Sequence, residues 1–387
     1  MLEKFKQIII KIIGLNDSFD YNVEECKIYL NKLGNPPDDI DRSFYQYKCQ
    51  MYLYGNFICF ILNFLSVIPL LYFYIVLRTV DNNDKYNSSY AVYYSNGINS
   101  NIIPRKLVDR FKNIKNIEAL NIKIIDTEGK GLIKEMVKRH FFSPYFILKN
   151  LLKIASYCEL ISKENCGAII CSNEYSFTSS ILTNYCNRKG IEHINIMHGE
   201  KLFNIRDSFF HFNECYVWDD FYIDLFTEMK AECDKFVVGI PEIFKSDAKN
   251  YRQRKVVDFR YYLQNESKDE LNGIYDLLTQ LKDKGYSVSL RMHPLYSDVL
   301  VIKEIFQDID IEDNSIDIFE SIHSTNYVVA KYSTVIFQAY CNGINIAIDD
   351  VTNRGLYTKL KALEYIMIQK SIPSISEIIG VADEKQW

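Results

Sequence analysis

The stretch that decides the fold runs from residue 167 to residue 200 and reads GAIICSNEYSFTSSILTNYCNRKGIEHINIMHGE. It opens with a short apolar run, GAIICS, and a second run, HINIM, lies near its end. A segment of helical length at 176–188 separates them. Two buried strands joined by one helix are typical of a parallel sheet with right-handed crossovers. The stretch therefore predicts an α/β fold.

The same alternation continues on both sides of this stretch. In the first half, strands are predicted at 91–95, 121–126, 167–172, 193–197, 214–218 and 235–239, and helices at 104–111, 131–162 (broken at Pro144) and 176–188. In the second half, strands are predicted at 256–263, 287–293, 326–331 and 344–349, a short strand or loop at 308–313, and helices at 268–284, 296–307, 316–322 and 334–342.

Two strand–helix series separated by a polar, charged segment at 242–255 indicate two domains, and a length of 387 residues suits that number. We predict two Rossmann-like, doubly wound domains that face each other across a cleft. The expected divisions are an N-terminal helical apolar region at 1–88, a first Rossmann-like domain at 89–243 and a second at 244–387.

Composition narrows the functional class. The net charge of −5 provides no positive field for phosphate backbones, so we expect no nucleic-acid partner. The 10 cysteines include no C-x-x-C pair, which excludes the usual zinc and redox spacings. No cleavable signal is evident at the N-terminus. These features favour a cytoplasmic chain with reduced thiols.

The N-terminal region favours contact with a membrane. Residues 2–15 form a basic amphipathic helix pattern that suits either a membrane interface or the protein's own core. Residues 49–77 carry no charge and are long enough to span a bilayer, but Asn56, Asn63 and Pro69 interrupt them. A membrane-embedded or monotopic hairpin broken near Pro69 is the prediction, with buried core helices and a true span as alternatives. We expect a peripheral or monotopic protein at the cytoplasmic face of the inner membrane.

Common nucleotide and hydrolase motifs are absent. The sequence has no G-x-G-x-x-G, no G-x-x-x-x-G-K-[ST], no H-E-x-x-H and no G-x-S-x-G, which argues against the enzyme classes that those motifs mark. The run Asp308-Ile309-Asp310 has the D-x-D form of some metal sites. Its alternation with Glu312 on a short strand favours a solvated face over a metal site.

Two motifs follow predicted strands of the second half. His293-Pro294 leaves one strand, and Ser333-Thr334 leaves another and begins an apolar helix. Ligands bind at the carboxyl ends of parallel strands, and a helix N-terminus with hydroxyls suits a phosphate. A histidine there can donate to a phosphate oxygen or protonate a departing phosphate. The plainer alternatives are a loop histidine and an ordinary N-cap.

Two further motifs follow strands of the first half. Ser172-Asn173-Glu174 supplies a carboxylate that could take a proton from an acceptor hydroxyl, and Met197-His198-Gly199-Glu200 supplies a histidine that could orient an acceptor or contact a phosphate. The plainer alternatives are a helix N-terminal acid for Glu174 and a histidine before a glycine turn for His198.

This combination resembles bacterial surface-polysaccharide glycosyltransferases of the two-domain GT-B type, and most of all the sialyltransferases and polysialyltransferases that use CMP-activated nonulosonic acids. In that group a His-Pro motif and a Ser/Thr pair bind the CMP phosphate, and a carboxylate of the first domain is the base. The resemblance implies that His293, Pro294, Ser333 and Thr334 hold the donor phosphate. It implies a base at Glu174, with His198 as the alternative. Met197 replaces the glutamine that often precedes His-Gly in related enzymes, and Asn173-Glu174 replaces Asn-Asp.

The function that the resemblance implies is inverting transfer of a sugar, a nonulosonic acid, from CMP to a glycan or lipid-linked glycan acceptor in capsule, O-antigen or lipooligosaccharide synthesis. His293 is counted with Glu174 and His198 as catalytic, and no metal or other cofactor is expected because CMP carries a single phosphate. The CDP-glycerol and CDP-ribitol phosphotransferases share the His-Gly, His-Pro and Ser motifs and remain an alternative. A non-catalytic, membrane-associated polysaccharide assembly protein is the other.

Overall fold

A computed structural model describes residues 21–81, 86–95, 100–118, 122–246 and 256–380. These residues divide into two compact units. The first holds the described residues up to His198 together with Phe203–Pro241, and the second holds Gly199–Leu202 and the described residues from Glu242 onward. The predicted amphipathic helix at 2–15 and most of the predicted linker lie outside the described residues.

The first unit begins with three helices, which are α1 (Val23–Leu33), α2 (Asp39–Tyr54) and α3 (Asn56–Val76). The Asp38 side chain caps α2 by accepting hydrogen bonds from the backbone N–H groups of Ile40 and Asp41. Gly55, with a φ of 81°, separates α2 from α3. This left-handed backbone conformation costs glycine little, so the chain can turn between two helices here.

The rest of the first unit is α/β. Its strands are β1 (Arg78–Val80), β2 (Asn87–Tyr94), β3 (Asn113–Ile117), β4 (Ile124–Asp126), β5 (Cys166–Cys171), β6 (Glu192–Ile196), β7 (His211–Val217) and β8 (Glu232–Val238). Its further helices are α4 (Arg105–Arg110), α5 (Thr127–His140), α6 (Pro144–Glu164), α7 (Ser179–Arg188) and α8 (Phe221–Glu228), with 3₁₀ turns at Ser100–Ile102 and Ile205–Asp207. The main sheet is parallel, in the order β3-β2-β5-β6-β7-β8.

The second unit is smaller. Its strands are β9 (Val257–Tyr262), β10 (Val288–Arg291), β11 (Asp310–Glu312), β12 (Thr325–Ala330) and β13 (Asn345–Ile348). Its helices are α9 (Lys268–Asp283), α10 (Val299–Ile305), α11 (Ile318–His323), α12 (Thr334–Cys341), α13 (Arg354–Ala362), α14 (Ile366–Gln369) and α15 (Ile375–Ile379), with a 3₁₀ turn at Glu242–Phe244. The sheet is parallel, in the order β11-β10-β9-β12-β13.

Both sheets are doubly wound, which confirms the predicted α/β class. In the first sheet the chain moves from β2 to β3 on one side and then continues from β5 on the other, so the order reverses between β2 and β5. In the second sheet it reverses between β9 and β12 in the same way. Crevices at the carboxyl ends of strands at such reversal points are where open α/β sheets bind ligands.

One strand prediction for the first sheet is wrong. The segment at 121–126 does not enter the main sheet, because Ile124–Asp126 pairs with Arg78–Val80 in a separate two-stranded sheet. The place beside β2 is taken by β3, whose sequence NIKNI lacks an apolar run. An edge strand contacts only one neighbour and is mostly exposed, so the pattern of a buried strand is missing there.

The predicted break at Pro69 is also wrong. Helix α3 runs without interruption from Asn56 through Pro69 to Val76. It is the one helix of the described residues that is long and apolar enough to cross a membrane by length and composition. Asn63, which suggested an interruption, faces inward. Its side-chain amide donates to the Tyr47 hydroxyl at 2.9 Å and its side-chain oxygen accepts the N–H of Tyr145 at 3.2 Å.

Candidate functional site

A cleft of about 610 Å³ opens at the reversal point of the second sheet. It lies where β9, β10 and β12 end, as the topology predicts. The four residues that the sequence assigned to a donor phosphate all line it, as do a loop after β9, the end of β10 and the start of α12. The lining includes Gln264, Glu266, Glu270, Arg291, His293, Pro294, Tyr296, Lys331, Tyr332, Ser333 and Thr334.

His293 is held by its own loop. The ring Nδ1 accepts the backbone N–H of Leu295 at 3.1 Å and that of Tyr296 at 3.3 Å. The backbone N–H of His293 donates to Ser297 Oγ at 2.8 Å, and the ring stacks on Tyr296 with centroids 4.6 Å apart. Because Nδ1 is an acceptor, we assign the proton of the neutral ring to Nε2. His293 therefore presents one N–H donor from a fixed position.

Ser333 and Thr334 begin α12. Ser333 is the N-cap, and its Oγ accepts the backbone N–H of Val335 at 3.4 Å. Thr334 is exposed at the first helical position. The N-terminus of a helix presents unpaired N–H groups and the positive end of the helix dipole. Together with His293, this end of the cleft offers several donors and suits an anion.

An ion-pair network that no sequence motif indicated lies at the base of the cleft. The Nζ of Lys331 lies 2.8 Å from Glu270 Oε1 and 3.4 Å from Glu266 Oε1. Burial raises the pKa of Glu270, but hydrogen bonds from Lys331 and Asn353 outweigh it and hold that pKa at about 2. Burial raises the pKa of Glu266 above its ordinary value, although Lys331 opposes the shift. A lysine at the end of a predicted strand was the only sequence signal for this network.

A second ion-pair network fixes the end of β10. Glu312 accepts from Arg260 at 2.8 Å and from Arg291 at 2.6 Å, and all three side chains are buried. Of the D-x-D run, Asp308 is exposed and pairs with Lys282 at 3.3 Å. Glu312 thus departs from the predicted solvated face. Among the described residues, no group of three or more His, Cys, Asp or Glu side chains could hold a metal ion.

The first unit brings together the other two predicted residues. Glu174 follows β5 at the reversal point, and its side chain is fully buried. Its Oε2 accepts from the Asn195 amide at 3.2 Å, and its backbone oxygen accepts from the Gln46 amide at 2.8 Å. Its Oε1 lies 3.3 Å from Nδ1 of His198, which follows β6. Two neighbouring parallel strands thus end in a carboxylate–imidazole pair.

His198 is the member of this pair that solvent reaches. Its side chain is 28% exposed, whereas that of Glu174 is 0% exposed. The rings of Tyr175 and His198 meet edge to face, with their centroids 5.9 Å apart. The guanidinium carbon of Arg206 lies 5.3 Å from the centroid of the Tyr175 ring. A carboxylate beside Nδ1 favours the tautomer with its proton on Nδ1, which leaves Nε2 as the basic atom. The arrangement suits a histidine base positioned by a buried carboxylate.

Glu200, to which the sequence analysis gave no role, belongs with the second unit. Burial raises the pKa of its carboxyl to about 8, although a hydrogen bond with Tyr365 opposes the shift. The pKa of Tyr332 is raised by burial and by the charge of Glu200. Tyr332 directly precedes the Ser333-Thr334 pair. A carboxyl that titrates near neutral pH therefore lies beside the loop that forms one wall of the cleft.

Comparisons with known proteins find similarity only among solved structures. No family model and no curated protein matches it. Similar solved structures include the UDP-GlcNAc 2-epimerase of Neisseria meningitidis bound to UDP-GlcNAc, with 8% identity, a TM-score of 0.37 and coverage of 75% of this chain and 93% of that one. The glycotransferase of kitacinnamycin has 8% identity, a TM-score of 0.44 and coverage of 76% and 89%. The wall teichoic acid polymerase TagF has 14% identity, a TM-score of 0.40 and coverage of 85% and 88%. At these TM-scores the likeness carries no argument about activity.

Proposed function

We propose that this protein is an inverting glycosyltransferase that moves a sugar, a nonulosonic acid, from a CMP donor to a hydroxyl of a glycan acceptor. The observation that carries the proposal is the convergence of His293, Ser333 and Thr334 on one cleft at the reversal point of the second sheet. These residues come from the ends of two different strands. They offer hydrogen-bond donors toward one place, which is what a departing phosphate requires.

On the donor side, the charge that develops in the reaction falls on the CMP phosphate as its bond to the anomeric carbon breaks. The Nε2–H of His293, the hydroxyls of Ser333 and Thr334 and the N-terminus of α12 stabilise that charge in the proposal. CMP carries a single phosphate, so these donors have only a modest negative charge to stabilise. We therefore expect no requirement for a metal. The side chain of Gln264 lines the same cleft and offers an amide for the ribose hydroxyls.

On the acceptor side, the proposed base is His198, with Glu174 as its positioning residue. Nε2 takes the proton of the acceptor hydroxyl while that oxygen bonds to the anomeric carbon from the face opposite the phosphate. The bond between the anomeric carbon and the phosphate oxygen breaks, and CMP leaves with the electron pair. Burial of Glu174 behind His198 supports this order of the two roles over the reverse.

A polyol phosphotransferase that uses CDP-glycerol or CDP-ribitol is the second candidate. The same donors in the cleft would then hold a diphosphate, and His198 would take a proton from a polyol hydroxyl. A non-catalytic assembly protein is the third candidate. The presence of both the donor cleft and the Glu174–His198 pair supports an enzyme over that candidate.

We also propose that the protein lies on the cytoplasmic face of the inner membrane through α3. One face of this helix, with Cys59, Leu62, Leu70 and Phe73, packs on the core of the first unit. The other face is exposed, with relative exposures of 75% for Phe57, 70% for Phe64 and 79% for both Ile68 and Ile75. Phe141 and Phe142, in the turn before α6, are also exposed. A helix that packs lengthwise on a folded unit supports an in-plane, monotopic attachment over a span.

The test of the donor class is thermal denaturation of the full-length protein with CMP, UMP, GDP and ADP. We expect CMP alone to raise the melting temperature, and Ser333→Ala with Thr334→Ala to remove the rise. The matched control is Ser315→Ala, which lies in an exposed turn of the same unit. A rise with UMP or GDP and none with CMP would rule out a CMP donor.

A further inference from the structure

Two lysines of α6 lie at the carboxyl edge of the first sheet. Because α6 leads into β5, it runs antiparallel to the strands and its first turns lie near the ends of β2 and β5. Lys149 and Lys153, four residues apart, share one face of this part of the helix. The Nζ of Lys149 lies 4.9 Å from the ring centre of Phe177, and that of Lys153 lies 5.5 Å from that of Tyr94.

Neither lysine has a carboxylate partner among the residues that the structure describes. Each contacts aromatic faces instead, and each is partly exposed, so a ligand can reach it. Lys163, on the same helix but at its other end, pairs with Glu159 at 2.9 Å. The two lysines near the crevice therefore differ from an ordinary helix-surface lysine by lacking a counter-ion.

The buried surroundings of Lys149 and Lys153 disfavour the charged form of both side chains. Burial lowers the pKa of Lys149 to about 8, and the charge of Lys153 adds to the shift. Burial also lowers the pKa of Lys153. Removing two ammonium groups from water without a counter-ion is unfavourable, and such arrangements concentrate at functional sites. An anion between them would relieve both penalties.

A buried hydroxyl adjoins the same strand end. Ser172, the first residue after β5, is 3% exposed, and its hydroxyl interacts with the side chain of Tyr93. Ser95, the first residue after β2, is 1% exposed, and its Oγ has no hydrogen-bond partner in the described part of the chain. The reversal point of the first sheet thus carries two lysines without a counter-ion and two buried hydroxyls.

We infer that Lys149 and Lys153 form an anion-binding subsite that holds a carboxylate or phosphate group of the acceptor. The inference rests on the proposed function only for naming the ligand as the acceptor, since the pair would bind an anion in either case. Glu174, which positions the proposed base, follows the same strand, β5. An acidic group held at this crevice would make the acceptor an anionic polymer, such as a chain of acidic sugars or of polyol phosphates.

The test is the direct binding of acceptor-like probes to the full-length protein, measured by isothermal titration calorimetry in the absence of a donor. The probes are a short oligomer of sialic acid, a glycerol phosphate oligomer of equal length and a neutral oligosaccharide of equal length. The variants are Lys149→Gln, Lys153→Gln and the two combined, with Lys163→Gln as the matched control on the same helix. The anionic probe that binds more tightly identifies whether carboxylate or phosphate is the natural group.

We expect at least one anionic probe to bind, the neutral probe to bind at least about tenfold more weakly, and the double variant to lose about tenfold or more in affinity. Lys163→Gln should bind as the wild type does. Binding should weaken as salt is added. Equal binding by the double variant, or equal binding of the neutral probe, would overturn the inference.

The melting temperature with CMP separates this inference from the proposed function. A wild-type protein that responds to CMP but binds neither anionic probe overturns the subsite and leaves the donor class intact. A protein that binds an anionic probe through the two lysines but ignores CMP overturns the donor class and leaves the subsite intact. Circular dichroism of each variant establishes that the fold is retained. Lys149→Arg, which keeps the charge, should retain binding in a folded protein, and its loss there would also overturn the inference.

Discussion

Oε1 of the buried Glu174 lies 3.3 Å from Nδ1 of His198, and of the two side chains only the imidazole, at 28% exposure, is reached by solvent. The two residues come from the ends of adjacent strands, β5 and β6, so the sheet itself sets their spacing. This relationship supports the proposal of different tasks for two residues that the sequence offered as alternatives. The outer residue can meet a hydroxyl, and the inner one can orient it.

The first prediction concerns this pair. His198→Ala should lower the rate of transfer by about 10²–10⁴-fold, because the acceptor hydroxyl would lose its base. Glu174→Gln should lower it less, because the base remains and loses only the carboxylate that orients its ring. The measurement is the transfer rate of both variants with saturating donor and acceptor. A fully active, folded His198→Ala variant would return the role of base to Glu174.

The second prediction concerns how His293 acts. If it is a fixed Nε2–H donor, His293→Ala should lower turnover by about 10²–10³-fold, and His293→Gln, whose amide also donates, should recover part of the loss. If it is instead a proton donor to the departing phosphate, glutamine should be no better than alanine. Turnover of the two variants with saturating acceptor separates the two roles. Near-normal turnover in His293→Ala would remove the residue from the mechanism.

The sequence predicted most of the second unit because its strands alternate with helical segments, and two of its inner strands, β10 and β12, have a motif at their carboxyl ends. It missed β3, since an edge strand such as NIKNI has too little burial to show a pattern. It predicted a break at Pro69, but the helix tolerates proline there and turns at Gly55 instead. The burial of Glu174 behind His198, the pairing of Lys331 with Glu266 and Glu270, and the inward position of Glu312 depend on contacts between distant segments. No local pattern encodes those contacts.

The third prediction concerns Glu200 and pH. Its folded-state pKa of about 8 lies above the ordinary value of 4.5, so the folded protein retains a proton that the unfolded chain releases. That contribution to the free energy of unfolding is complete below about pH 4.5 and is lost as the pH rises to about 8. Glu200→Gln should therefore gain stability relative to the wild type as the pH rises through this window.

Urea unfolding at the two ends of that window measures the effect. Glu304→Gln, an exposed glutamate of α10, is the matched control and should show no such pH-dependent gain. An equal difference between Glu200→Gln and the wild type at both pH values would show that Glu200 ionises normally in the folded protein.

The fourth prediction concerns α3. Phe64→Gln and Ile68→Gln replace side chains on the exposed face without touching the packed face, so they should leave the fold intact and weaken binding to vesicles that contain anionic lipid. Flotation of full-length protein with such vesicles is the measurement. Val108→Gln, at an exposed apolar position of α4, should float as the wild type does. Undiminished flotation of the double variant would place the membrane contact elsewhere.

The most direct test of the central claim is the release of free CMP from a panel of CMP-activated and CDP-activated donors, followed by mass spectrometry with and without acceptor glycans. We expect a CMP-nonulosonic acid to release CMP in an acceptor-dependent way, the sugar to appear on the acceptor with inverted anomeric configuration, and His198→Ala to abolish this transfer. Turnover of CDP-glycerol or CDP-ribitol, with no release from any CMP-sugar, would contradict the account and assign the cleft to polyol phosphate transfer.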